Sequence, residues 1–199
     1  MSFPLYVPMK NKTSAFLLIY IIITALISTT SCRRSGHTEQ QLFMMDTLSD
    51  ENPDTVLTML DCMDFNAMSK SERMHAELLR GKAMNKAYVN FTTDSVMLEV
   101  VDWYERHGNA NQKMLAYYIL GCAYRDLGSA PKALESYRYA VEKADTTDAE
   151  CDFRQLMLIH SQMANVYGSI YAVLDEEREL DNALRYASTI QDKTKINIF

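Results

Sequence analysis

Glycine and proline are scarce in this chain, 6 and 4 among 199 residues. That scarcity limits turns and favours long helices. The four cysteines include no CxxC pair, and none of the four histidines lies at a metal spacing such as HExxH. There is no GxSxG and no glycine-rich turn to cradle phosphate. Neither an enzyme nor a bound cofactor is expected from such a pattern. Positive charge is also short. The net charge is -6. Residues 1–31 hold Lys10 and Lys12 and no acid, which leaves 18 basic and 26 acidic residues, a net -8. An acidic body argues against a nucleic-acid partner.

What is present is an ordinary globular balance, 48% apolar and 23% charged residues. The chain is long enough for one domain with a real core. Tyrosine (12) and methionine (13) are plentiful and suit the gaps between packed helices. His160 reads as a packed residue, the pair Glu176/Glu177 as a solvated face, and His107 as a cation closing a helix before Gly108.

The N-terminus has its own pattern. Met9-Lys-Asn-Lys-Thr-Ser precedes the 13 apolar-rich residues Ala15 to Ile27, and Ser28-Thr-Thr-Ser-Cys32 follows. A basic segment, an apolar run and small polar residues make an export signal over residues 1–31. Met9 followed by Lys10 is a more usual start than MSFPLYVP, so residues 1–8 read as a misassigned start or an extension. The ending resembles that of a bacterial lipoprotein, which implies lipidation of Cys32. Thr30 and Ser31 are the small residues expected before it, whereas Thr29 departs from the usual aliphatic residue. Two other readings stand beside this one. Residues 13–31 are an uncharged run of 19, about the length of an uncleaved anchor, and ordinary cleavage is the third. Residues 32–41 then read as a lipid-anchored tether, polar and without an apolar period. Cys62, Cys122 and Cys151 remain, an odd set with no zinc spacing, of which Cys62 and Cys151 are one pairing open to a bridge.

The body, residues 42–199, reads as helical hairpins, best over 114–147. Tyr117, Leu120, Gly121 and Tyr124 fall at i, i+3, i+4 and i+7, on one helical face. Gly128 ends that helix, and Pro131 sits in the first turn of the next. Ala133, Tyr137 and Ala140 form its packing face. Elsewhere the pattern is weaker. His160, Met163, Ala164 and Tyr167 repeat the first-helix positions, and Leu180 to Ile190, with Ala183 and Ala187, suit a second helix. Gly168 to Glu179 reads as a connection longer than the usual turn, and the acids and arginines of AVLDEERELDNAL read as a solvated helical extension. Ser71 to Tyr88 and Ser95 to His107 form another pair joined by VNFTTD. Gln41 to Leu48 with NPDTVLTMLDCM gives a short hairpin, its second helix capped by Asp54 or Thr55.

These positions resemble the tetratricopeptide repeat (TPR), with Tyr117 for the usual Trp, Tyr137 for Phe and Asp145 for the closing Pro. The order of signal, Cys32 and repeats is similar to that of the TPR lipoproteins of Bacteroides-type bacteria. The resemblance implies an all-α fold, about four antiparallel hairpins stacked as a right-handed superhelix. It implies a concave groove for a protein or peptide segment, which the register places at Leu115, Tyr118, Cys122, Arg125, Asp126, Ser161 and Asn165. No lysine ladder marks an acidic C-terminus as the ligand. The same lineage implies O-glycosylation at Asp-Ser/Thr motifs, here Thr47, Thr55, Ser95 and Thr146, although such residues also cap helices. DKTKINIF follows the last helix with no polar capping helix, so a shortened version of a longer array is expected, with an exposed Ala183/Ala187 face. The function implied is a non-enzymatic protein–protein interaction scaffold on the bacterial cell envelope, its membrane contact a lipid anchor facing the periplasm or cell surface. The alternative is a sensory or regulatory TPR protein lacking its C-terminal output segment. A helical carbohydrate-binding accessory is the third, for which Trp103 and a few tyrosines are the available platforms.

Overall fold

The computed structural model describes residues 38–196. The export signal expected over residues 1–31, the start expected at Met9 and the lipidation expected at Cys32 fall outside the described residues. The described residues are all-helical and contain no strand. Residues 38–48 are helical (α1). Then follow α2 (Pro53–Asp61), a 3-10 turn (Phe65–Ala67), α3 (Lys70–Lys86), α4 (Ser95–His107), α5 (Ala110–Asp126), α6 (Ala130–Lys143), α7 (Phe153–Ser169) and α8 (Val173–Ile196). From α2 onward each α-helix packs on the next, and α5 also touches α3 and α7. Links of two to nine residues join successive helices.

α3, α5 and α7 are built alike, each 17 residues long. Each opens on a polar cap whose side chain accepts from the amide three residues on: Ser69 from Glu72, Asn109 from Gln112, Asp152 from Gln155. In the first two, the side chains of Glu72 and Gln112 reach back to complete a capping box. Each also closes in the same way. The amides of Val89, Ser129 and Ala172 donate to the carbonyls of Met84, Tyr124 and Tyr167 at 2.9, 2.8 and 3.0 Å. This six-to-one bond puts the preceding residue in the left-handed region. Those residues are Tyr88 (φ 57°), Gly128 (φ 74°) and Tyr171 (φ 59°). Glycine suits the position, whereas a tyrosine there is strained. Its ring gains nothing in return, being 93% exposed at Tyr88 and 90% at Tyr171. Tyr88→Gly or Tyr171→Gly is therefore expected to stabilise the fold by about 0.5–1 kcal/mol. A thermal melt should show a rise of about 1–4 °C for each, and a fall would remove the strain.

α3 is buried on two stripes. Ala76, Leu79 and Ala83 join Leu42, Met45, Val56 and Leu60 in one core. Met74 and Leu78 face the other way, into the main core with Val100, Ile119 and Tyr137. The helices α4 and α6 each bury a single face, Met97, Val100, Val101 and Tyr104 in one, Ala133, Tyr137 and Ala140 in the other.

Four expectations change. The cap of α2 is Asn52 with no side-chain bond, and Pro53 takes the first turn, so Asp54 and Thr55 lie inside the helix. The connection after α7 is only residues 170–172, because α8 begins at Val173 and runs 24 residues. Residues 38–41, read as tether, are helical. Ala183 is buried and Ala187 half-buried, because that face of α8 lies on α7 rather than in solvent.

Candidate functional site

The eight signature positions are placed as a packing unit. Gly121 receives the ring of Tyr137: a Cβ there would stand 2.5 Å from Tyr137 Cδ1. Ala133, Tyr137 and Ala140 are fully buried, and Leu120 is nearly so. Tyr117 is half-buried, its ring 5.5 Å from that of Tyr139. Tyr124 is half-buried beneath the Lys132 ammonium, 5.1 Å from the ring centre. Gly128 closes the helix and has open space around it. One close approach was not read from the sequence. Gly81 lies against Ile119 and Met97, whose Cγ2 and Sδ would be 2.6 and 3.0 Å from an added Cβ. Gly81 and Met97 precede Gly121 and Tyr137 by 40 residues each, a recurrence the sequence does contain.

Helices α3, α5 and α7 enclose a groove of about 600 Å³. Of the expected groove residues, Leu115, Tyr118, Arg125 and Asp126 line it. Arg125 ties its floor together. Its guanidinium donates to Asp126 Oδ1 at 2.9 Å, to Gln162 Oε1 at 2.8 Å and to Asn85 Oδ1 at 3.2 Å. Asn85 Nδ2 lies 3.3 Å from the hydroxyl of Tyr118, which is itself only 4% exposed and packs on Tyr137. Asp126 Oδ2 also accepts from the amide of Phe91 at 3.2 Å. One charge thus bridges three helices.

Cys122, Ser161 and Asn165 do not line the groove. The Cys122 thiol is fully buried and accepts from the Tyr137 hydroxyl at 3.6 Å. Burial pushes its pKa up to about 11, so it is not poised as a thiolate. Ser161 bonds back to the Met157 carbonyl at 2.9 Å, and Asn165 is exposed. The stripe that α7 turns to the groove is Gln155, Leu158 and Gln162, at i, i+3 and i+7. Ser161 and Asn165 belong to the adjacent stripe.

Charges along the wall are matched. Lys82 pairs with Asp46 at 2.7 Å, and Lys86 pairs with Asp50. Burial raises the Asp50 pKa, but the Lys86 hydrogen bond and the charges of Lys82, Lys86 and Arg154 outweigh it and hold the carboxyl low. The charged lining is Asp46, Asp50, Asp126 and Asp152 against Lys82, Lys86, Arg125 and Arg154, which sums to zero.

The other expected positions lie apart. Thr47 on α1, Thr55 on α2, Ser95 opening α4 and Thr146 in the loop after α6 are all exposed. His107 ends α4 with Nδ1 2.8 Å from the Trp103 carbonyl, and its ring stacks on Trp103. His160 is buried, its Nδ1 2.6 Å from Glu179 Oε2. That partner stood in the run taken as solvated. Cys62, Cys122 and Cys151 are all free, so no bridge joins Cys62 to Cys151. Among the described residues no group of three or more His, Cys, Asp or Glu side chains could hold a metal ion. Among them, too, no helix is long and apolar enough to cross a membrane. Comparison with family models, with curated proteins and with solved structures finds no match.

Proposed function

We propose that this chain is a non-enzymatic interaction module, a TPR-like right-handed array of hairpins held at the bacterial cell envelope by a lipid on Cys32. Its groove takes a protein or peptide segment. The observation that carries this reading is the groove across α3, α5 and α7 with its floor held by Arg125. A floor fixed before binding spares the ligand the cost of ordering it. The contact of the Gly121 backbone with Tyr137 supports the TPR-like stacking, since small residues let helices approach closely. Tethering would raise the effective concentration of the module near an envelope partner.

A photo-crosslinking residue placed at Leu158, in the groove, tests the interaction. In envelope preparations it is expected to capture a discrete protein, while the same probe at exposed Glu135 on α6 captures none. Equal capture at both positions would reject the groove as the site. The anchor is tested separately. Cys32→Ser is expected to move most of the protein from the membrane to the soluble fraction, and mass spectrometry should find a diacylglyceryl group on Cys32. An intact peptide from Lys10 to Arg34 would overturn lipidation.

A further inference from the structure

One face of α8 is left bare. Gly128 and Tyr171 close α5 and α7 in the same way, 43 residues apart. At that offset α8 repeats α6, and Ala140 and its match Ala183 are both buried. α6 lies against both α5 and α7. Its Ala130, Leu134, Val141 and Ala144 are half-buried against the core, and Tyr137 is fully buried. The matching residues of α8 are Val173, Glu177, Leu184, Ala187 and Leu180. Among the described helices, however, α8 packs substantially on α7 alone. Val173, Leu180 and Leu184 are 57%, 46% and 66% exposed. Their spacing of seven and four residues puts them on one stripe, which Ala187 continues. None of these residues lines the groove. A helix in a stacked array covers such a face with its neighbour, and an apolar patch left exposed among polar residues marks a contact site.

The charges on the stripe select what covers it. Glu177 interrupts it where α6 has Leu134, and Asp181 stands one turn further on. Both are exposed, and neither forms an ion pair among the described residues. The acids around them are spent, Asp175 on Arg178 at 2.6 Å and Glu179 on His160 at 2.6 Å. Arg185 lies over the Tyr186 ring at 5.2 Å rather than on Asp181. A purely apolar cover would strand the Glu177 carboxylate away from water. A second copy of the chain would bring the same acids, and like charges repel across a contact. An anionic membrane surface repels them as well. A helix with its own apolar stripe and lysine or arginine beside it satisfies both the leucines and the acids. We propose that α8 docks a cationic amphipathic helix of a partner protein. The partner's apolar side chains meet Val173, Leu180 and Leu184, and its cations pair with Glu177 and Asp181. It takes on α8 the place that α7 takes on α6. This is a contact surface beyond the groove and does not depend on what the groove binds.

A photo-crosslinking residue at Leu184 in the full chain, held in detergent, tests it. The probes are two blocked peptides of about 20 residues, long enough to hold a helix. Both carry the same leucine stripe, flanked by lysine in one and by glutamate in the other. The lysine peptide is expected to crosslink about tenfold more than the glutamate peptide. Glu177→Gln combined with Asp181→Asn should abolish that preference and leave the melting temperature unchanged, since both side chains are exposed. The same crosslinker at Leu158, in the groove, should capture neither peptide. Capture at Leu158 alone would move the helix to the groove and overturn the α8 site. Equal capture of both peptides at Leu184, or a preference that survives the double substitution, would overturn the selection by charge. An adduct within the chain or to a second copy, in place of the peptide, would give the face to that occupant and overturn the partner helix. No adduct at Leu184 would overturn the proposal outright, and none of the results at Leu184 bears on the groove.

Discussion

Gly121→Leu is expected to destabilise the domain by about 3 kcal/mol, the upper end of the range for overpacked cores. The Tyr137 ring fills the place where any side chain at 121 must go, and the ring is fully buried. It cannot swing out, because its hydroxyl donates to Cys122 and its face packs on Tyr118. The loss should lower the melting temperature by roughly 6–12 °C. Tyr137→Ala alone should cost about 3–5 kcal/mol through the cavity it leaves. Combined, the two changes relieve each other, so the double variant should be more stable than the sum of the singles by about 1–3 kcal/mol. Strict additivity in a thermal melt would mean that Gly121 and Tyr137 do not share the space.

A second large effect is expected in the last hairpin. His160→Ala should cost about 3 kcal/mol, the low end for breaking a buried pair. Its loss strands Glu179, whose side chain is 5% exposed. Arg178 Nε at 3.1 Å and Asn182 Nδ2 at 3.5 Å still reach that carboxylate, which is why the low end applies. The ring of His160 also stacks on Tyr186 at 5.5 Å, and that contact goes with it. Replacing both partners, His160→Leu with Glu179→Leu, should recover most of the loss, since an apolar pair needs no desolvation. Denaturant midpoints of the three variants measure this. A double variant as unstable as His160→Ala would show that packing, not the pair, carries the cost.

Legibility differed along the chain for identifiable reasons. The hairpin of α5 and α6 was readable because Gly121, Gly128, Pro131 and Ala133 each answer a local geometric demand. α3 was readable as a helix, Ser71 to Tyr88 against the observed Lys70–Lys86, but not its packing faces, because Ala76, Leu79 and Ala83 serve one core while Met74 and Leu78 serve another. Two apolar stripes on one helix leave no single packing face to match to a repeat. Glu179 was lost among the charges of α8, since one buried acid in a charged helix has no local mark. In the groove, Leu115, Tyr118, Arg125 and Asp126 were legible from the register of α5, whereas Gln155, Leu158 and Gln162 were not. The rotation of α7 about its axis is set by how it packs on α5, α6 and α8.

By itself the sequence determined the helical class, the hairpin turn at Gly128 and the close approach at Gly121. Each follows from backbone sterics and periodicity within a few residues. Tertiary structure alone decided which stripe of α7 meets the groove and where Arg125 spends its donors. Those are contacts between residues 37 to 40 positions apart, and no local rule reaches across a helix pair.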